Sequence, residues 1–409
     1  MLKKFCTSLH KSLQLCILAC RFTPAQELAI LESMIIGIDG NEANVERKVG
    51  IGEYAYQLLM EFYRMQPADV SFQIYLKDVP RPEMPKERPG WKYSIVGPRK
   101  MWTQIGLPLY LFTHFPRPTV FFSPTHYAPR FSPIPTAISI MDVSYLHFPE
   151  LFAKKDLYQL REWTKYSARG AKRIFTISEF SKNDILKQYG KTKDEVIVTY
   201  PGIKEKPTHM TELTKKELEQ KFAIRSNYIL FVGTLQPRKN IERLIEAFSV
   251  LLESTPDAKD VQLVIVGKKG WLYEPILAAP LKFGVVDHVR FLEFVDDVDL
   301  PSLYANALMF VLPSLYEGFG LPVVEAMKYG VPVITSNVSS LPEAGGDACL
   351  YVNPEDVADI AEKMRKLLES PSLRKELVKK GYEHIKKFSW EKTAKETLTV
   401  LQELGGQKS

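Results

Sequence analysis

From Met34 onward the chain alternates short apolar runs with amphipathic stretches, and it does so twice. In the first half the apolar runs are Ile35–Asp39, Phe72–Leu76, Val120–Ser123, Ala137–Met141, Arg173–Ile177 and Val196–Thr199. Helical spacing is predicted between them over Gly52–Tyr63, Trp102–His114, Lys154–Ala171 and Glu179–Tyr189. Strands that are apolar along their whole length need cover on both faces, so the pattern predicts parallel sheets sandwiched by helices. The proline-dense stretch between Leu76 and Trp102 reads as a loop. A polar, lysine-rich linker at Lys204–Glu219 precedes the restart. Strands are then predicted at Tyr228–Val232, Gln262–Val266, Val289–Phe291 and Met309–Leu312, and helices at Ile241–Leu252, Pro275–Phe283 and Leu300–Ala305. Further helices are expected at Pro354–Glu369, Ser372–Lys387 and Trp390–Leu404. A chain of 409 residues exceeds the size at which one core keeps growing. The expected architecture is therefore α/β with two Rossmann-like domains, residues 34–204 and 205–387, and a closing helix in 388–409. Two such halves offer a ligand a crevice at the carboxyl ends of their strands.

The most informative segment chemically is Phe310–Ser336, FVLPSLYEGFGLPVVEAMKYGVPVITS. It reads as strand, glycine-punctuated loop, a helix over Pro322–Tyr329, and a strand over Val331–Thr335. Proline suits the first helical turn, and Gly330 suits the left-handed position past the end. A helix start presents unpaired N–H groups and a partial positive charge, so the corner from Gly318 to Pro322 is suited to an anion such as a diphosphate. Glu317 and Glu325 flank it. Carboxylates beside a phosphate site repel the phosphate, which makes them candidate acceptors for sugar or ribose hydroxyls. A second loop, Gly233 to Asn240, leaves one strand and enters a helix, and its adjacent Arg238 and Lys239 can neutralise a departing diphosphate. In the first half, Gly50-Ile51-Gly52 follows the first strand, where close backbone approach to a phosphate is expected.

Glu317, seven intervening residues and Glu325, as EGFGLPVVE followed by AMKYGVPVI, resembles the signature of retaining nucleotide-sugar glycosyltransferases of family four, which have the GT-B fold. The resemblance implies two Rossmann-like domains whose parallel sheets face each other across a cleft, with the last helix crossing back to the first domain. It implies transfer of a hexose from a nucleoside-diphosphate sugar to a hydroxyl with retention. Arg238 and Lys239 match the family's phosphate-binding pair. Glu317 is then expected to hold sugar hydroxyls, and Glu325 the ribose. Gly318, Phe319, Gly320, Leu321, Pro322, Val323 and Gly233 line the donor, and the backbone amides from Phe319 to Val323 meet the diphosphate. Gly50 and Gly52 match the family's Gly-Ile-Gly loop, and the absence of a lysine there speaks against polymerising a storage glucan. Met141 and Asp142 fall at the sugar or acceptor pocket. Met141 stands where many relatives carry histidine, and the alternative reading of Asp142 is N-capping from its loop. Ser178 and Ser181 match a family motif and also read as caps. The resemblance favours GDP-mannose, with UDP-sugars open, and a glycan or lipid-linked acceptor in cell-surface polysaccharide or glycolipid synthesis. Two alternatives use the same fold: another sugar-nucleotide enzyme such as an epimerase, and a binding protein without catalysis.

Composition narrows the rest. The net charge of +6 is uneven; roughly +6 lies in residues 34–205 and about −2 in the remainder of the globular part. Lys154, Lys155, Arg161, Lys165, Arg169, Lys172 and Arg173 form either a solvated face or a surface for anionic lipid headgroups. No aromatic-basic interleaving accompanies them, which argues against nucleic acid. Three of the four cysteines, Cys6, Cys16 and Cys20, precede residue 34 and Cys349 stands alone, so a reducing, cytoplasmic compartment is expected. Residues 1–33 only loosely mimic a signal peptide, and Met34 is read as the native start. Asp296, Asp297 and Asp299 read as a helix start, not a metal site. With no His/Cys cluster, neither metal nor cofactor is expected. His126 and His147 read as loop packing residues.

Overall fold

The computed structural model describes residues 34–204 and 212–406. The expectations for residues 1–33, and part of the linker, lie outside them. Strands β1 (Met34–Asp39), β2 (Val70–Leu76), β3 (Trp91–Ile95), β4 (Val120–Ser123), β5 (Thr136–Ser139), β6 (Arg173–Thr176) and β7 (Val196–Val198) form a parallel sheet in the order β3-β2-β1-β4-β5-β6-β7. Strands β8 (Tyr228–Val232), β9 (Gln262–Val266), β10 (Val289–Leu292), β11 (Met309–Leu312), β12 (Val333–Ser336) and β13 (Cys349–Val352) form a second, ordered β10-β9-β8-β11-β12-β13. By internal contacts the chain divides into two compact units. One holds the chain up to Pro124, Pro129–Ala137 and the chain from Leu398; the other holds Thr125–Ala128 and Ile138–Thr397.

The central strands of the second sheet are buried on both faces, as their unbroken apolar runs require: every residue of β9 and β11 is buried. Phe310 lies opposite Leu230 on one side and Val333 on the other. Helix Ile241–Ser254 covers this sheet with Ile241, Leu244, Ile245, Phe248 and Leu251, the three-and-four spacing of one helical face. In this sheet the strand order reverses between β8 and β11. Loops leaving the carboxyl ends of two such strands diverge to opposite faces and leave a crevice between them.

Four local readings need correction. The proline-dense stretch contains β3, because its prolines flank Trp91–Ile95 without interrupting it and an edge strand pairs on one side only. The second half of the linker is helix Lys215–Phe222, started by a capping box in which Thr214 accepts from the Glu217 amide and Glu217 reaches back. The helix expected over Trp102–His114 opens as a π-turn, Trp102–Gly106, before an α-helix at Leu107–Thr113; Pro108 lacks the N–H that a regular turn would use. Helix Leu341–Gly345 and strand β13 occupy a stretch with no predicted element. Among the described residues no helix is long and apolar enough to cross a membrane.

Candidate active site

Two loops meet at the reversal point of the second sheet. The loop after β8 begins at Gly233, whose amide donates to Val266 O at 2.9 Å. It then makes a 3-10 turn, Pro237–Lys239, which ends at Asn240 with a left-handed φ of 59°. Asparagine tolerates that conformation, and here its side chain is fastened by donating to Pro313 O and Pro354 O, at 3.0 and 2.6 Å. The turn is thereby fixed to the loop after β11, and Arg238 and Lys239 project from it.

Glu317 receives them. Lys239 Nζ donates to Glu317 Oε1 at 2.5 Å and Arg238 Nη1 to Oε2 at 3.2 Å. Ser314 Oγ adds a third bond to Oε1 at 2.7 Å. The Glu317 main chain is held too: its amide donates to Ser339 Oγ and its carbonyl accepts from Ser340 Oγ. Lys239 and Glu317 are only 8% and 6% exposed, so each charge depends on its counter-ions: Lys239 on Glu317, and Glu317 on Lys239 and Arg238. Burial alone would push the Glu317 carboxyl up, but the Lys239 ammonium and the Arg238 guanidinium outweigh it and hold the pKa down at about 2. Burial pulls Lys239 below the usual lysine range, with Glu317 offsetting part of that effect. A carboxylate has about four acceptor positions. Three are taken, which leaves one, on Oε2, for a further donor.

The rest of the EGFGLP loop is shaped by close approaches. A side chain at Gly318 would place its Cβ 3.0 Å from Met141 O and 3.1 Å from Asp142 Cβ. The strand expected to run to Met141 stops at Ser139, so Met141 and Asp142 lie in the loop that packs against Gly318. Ser181 Oγ donates to Gly318 O at 3.2 Å, and Ser178 caps helix Glu179–Tyr189 through the Ser181 amide. Phe319 is buried against Tyr200 and Phe388. Gly320 has φ 104° and precedes helix Leu321–Lys328, with Pro322 in the first turn. Val323 donates its amide to Gly320 O at 2.9 Å and Pro322 has none. The anion donors expected from Phe319 through Val323 thus narrow to Phe319, Gly320 and Leu321.

Glu325 lies within that helix, half-buried, and accepts from the Tyr304 hydroxyl at 3.2 Å. Asp142 accepts from the Ser144 amide at 2.8 Å, which fastens the turn into helix Ser144–His147, whose N-cap is Val143. Gly50 and Gly52 belong to the other compact unit. Gly50 has φ 53° at the start of helix Ile51–Met65, and a Cβ on Gly52 would come 3.0 Å from Glu42 O. His126 is neutral at pH 7, because burial pushes its imidazole down to about 4. Asp297 pairs with Lys204 and Asp299 with Lys221, at 2.6 and 2.7 Å, with Asp299 at a helix start.

Sequence reasoning missed Glu343. Its two carboxylate oxygens accept the Glu179 and Phe180 amides, each at 2.8 Å, and the Tyr200 hydroxyl at 3.1 Å. A carboxylate thus closes the positive end of helix Glu179–Tyr189 from far along the chain. Asp184 was missed as well: it accepts from the Tyr316 hydroxyl at 2.8 Å and pairs with His147 at 2.9 Å. No local spacing in the sequence points to either residue.

Residues 214–384 match the family described as Glycosyl transferases group 1. Over 263 residues the chain is 35% identical to the O-antigen chain mannosyltransferase B of Escherichia coli, covering 64% of this chain and 68% of that protein. The serotype-specific mannosyltransferase WbdA of Escherichia coli is 33% identical over 224 residues, which are 54% of this chain and 27% of that longer protein. The sucrose-phosphate synthase of Thermosynechococcus elongatus superposes with a TM-score of 0.70 at 18% identity, over 92% of this chain and 100% of that one. Its GT-B fold is the fold of this chain.

Proposed function

This chain belongs to the group 1 glycosyl transferases, and from that premise we propose that it moves mannose from a nucleoside-diphosphate sugar to a hydroxyl of a glycan or lipid-linked acceptor, with retention, in polysaccharide synthesis. The observation that carries the reading is the pair of half-buried Arg238 and buried Lys239 held on Glu317 beside the start of helix Leu321–Lys328. Preorganised cations in a dry site stabilise charge developing on a leaving diphosphate at little reorganisation cost. Mannose is favoured because the relatives above are named mannosyltransferases. GDP-mannose is the preferred donor, and a UDP-sugar its competitor. A reducing, cytoplasmic compartment is the location this reading favours, in line with the cysteine usage.

In this mechanism Arg238, Lys239 and the amides of Phe319, Gly320 and Leu321 take the diphosphate. Glu325, oriented by Tyr304, accepts from the ribose. Glu317 offers its remaining acceptor position to a sugar hydroxyl. A carboxylate already bonded to lysine, arginine and serine makes a poor nucleophile and holds no proton at pH 7. With retention, as the family resemblance implies, attack in this scheme comes from the acceptor oxygen on the face the diphosphate leaves. As the C1–phosphate bond breaks and the C1–acceptor bond forms, the departing phosphate oxygen takes the hydroxyl proton. Two protein cations supply the neutralisation, so neither a metal nor a cofactor is required in the scheme.

The test is release of GDP from GDP-mannose in the presence of acceptor, compared with UDP release from UDP-sugars. Lys239→Ala should lower turnover by roughly 10²–10³, the scale of losing one preorganised donor. Full turnover in the folded variant would remove Lys239 from the mechanism.

A further inference from the structure

The helix that opens on the π-turn carries an exposed apolar face. Ile105, Leu109 and Phe112 recur at intervals of four and three, which places them on one side of the helix, and Met101 stands at its N-cap. Phe115 follows directly, and Phe131 is tied to the start of the same helix because the neighbouring Arg130 amide donates to Thr103 O at 2.9 Å. These six side chains are between 46% and 73% exposed. The opposite face, with Trp102, Leu107 and Leu111, is buried against Tyr75, Val96 and Phe121. The helix is therefore anchored, and its outward face is apolar by composition and not by disorder. A group of large exposed apolar side chains of this kind marks an interaction site.

Charge says what covers it. Between Glu87 and Asp142 the sequence contains no aspartate or glutamate, yet it contains six Lys and Arg: Arg88, Lys92, Arg99, Lys100, Arg117 and Arg130. Four of these bracket the apolar face. Arg99 and Lys100 precede it, Arg117 lies over the Phe115 ring at 4.3 Å, and Arg130 adjoins Phe131. Arg99 also pairs with Asp78, yet its side chain remains 76% exposed. An apolar stripe rimmed by cations matches a bilayer surface with anionic headgroups, where the stripe enters the acyl boundary and the cations meet the phosphates. The basic helix Lys154–Gly170 is a poorer match. Asp156 and Glu162 interrupt its cations, and its large exposed apolar surface is confined to Tyr158 and Tyr166.

We infer that the face formed by Met101, Ile105, Leu109, Phe112, Phe115 and Phe131 seats the protein on an anionic membrane surface. The inference rests on this face alone and is independent of the reaction proposed above.

Flotation of the full chain with vesicles tests it, without donor or acceptor. Vesicles of phosphatidylglycerol mixed equally with phosphatidylcholine should capture the protein, and phosphatidylcholine alone should capture much less. Leu109→Glu with Phe112→Glu should lower the partition coefficient on the order of a hundredfold. Both side chains are exposed, so the thermal melt should stay where it is. Arg99→Gln with Lys100→Gln should lower capture on the anionic vesicles by about tenfold. Equal capture by neutral vesicles, or an unchanged partition in the Leu109/Phe112 variant, overturns the proposal. So does a wild-type dimer that this variant converts to monomer with no effect on vesicles, because the face would then seat a second copy.

Discussion

Lys239 and Glu317 hold opposite charges in a place where either alone would be costly, and that pairing has a measurable consequence apart from catalysis. Removing the only partner of a buried charge costs about 3–5 kcal/mol. In Lys239→Ala the Glu317 carboxylate loses one of its two counter-ions and keeps Arg238, so unfolding stability in a urea titration should fall by less than that. Replacing Glu317 by glutamine in the same background should recover part of the loss, because the under-compensated carboxylate disappears. Turnover should not recover with it. A double variant as unstable as Lys239→Ala would show that packing, not charge, accounts for the cost. A double variant that regained turnover would mean that the ammonium serves only the fold. The cycle separates the two roles because Arg238 and Ser314 still contact position 317 in every variant.

Elements were legible in the sequence where their physics is local. Strands β4, β8, β9 and β11 and helix Glu179–Tyr189 fall at their predicted bounds. Their apolar runs are continuous or end on a cap, as at Ser178 and Gly190. Strands β3 and β13 were not legible, and edge position alone does not explain it, since the edge strands β7 and β10 were read; β3 is hidden among prolines, and β13 is a four-residue run just after Gly345-Gly346 with two of its residues half-exposed. The candidate site followed the same rule. The EGFGLP loop and the Arg-Lys turn announce themselves by glycine, proline and charge within a few residues. That Arg238 and Lys239 would rest on Glu317 was not readable, because β8 and β11 are adjacent only once the sheet has formed. Glu343 is the extreme case, bonded to amides 163 and 164 positions away. Its role is structural at the start of helix Glu179–Tyr189, and losing it should expose two unpaired amides. Glu343→Ala should cost about 1–3 kcal/mol by urea titration, with Glu343→Gln intermediate because one oxygen still accepts. An alanine variant as stable as the wild type would mean that water replaces the carboxylate at no cost.

At the scale of the whole molecule, ligand binding and unfolding are linked, and the division into compact units says where the linkage should appear. Arg238, Lys239, Glu317 and Glu325 all belong to the unit that contains Ile138–Thr397. A nucleoside diphosphate that binds the folded site stabilises whatever cooperative unit contains it, by about 2.7 kcal/mol at roughly a hundredfold excess over Kd. The cations are already in place on Glu317, so little ordering opposes binding. Chains of this size need not melt in one step. The five tryptophans divide usefully: Trp91 and Trp102 lie in the first unit, and Trp163, Trp271 and Trp390 in the second. A Trp91→Phe, Trp102→Phe variant therefore reports the second unit by fluorescence. GDP should raise that melting transition more than UDP does, and free mannose should leave it unchanged. Arg238→Ala should abolish the shift. If UDP gives the larger shift, the donor is a UDP-sugar and the mannose assignment loses its base. If no diphosphate moves the second-unit transition, the anion site at Arg238 and Lys239 is not a donor site, and the chemistry built on it falls with it.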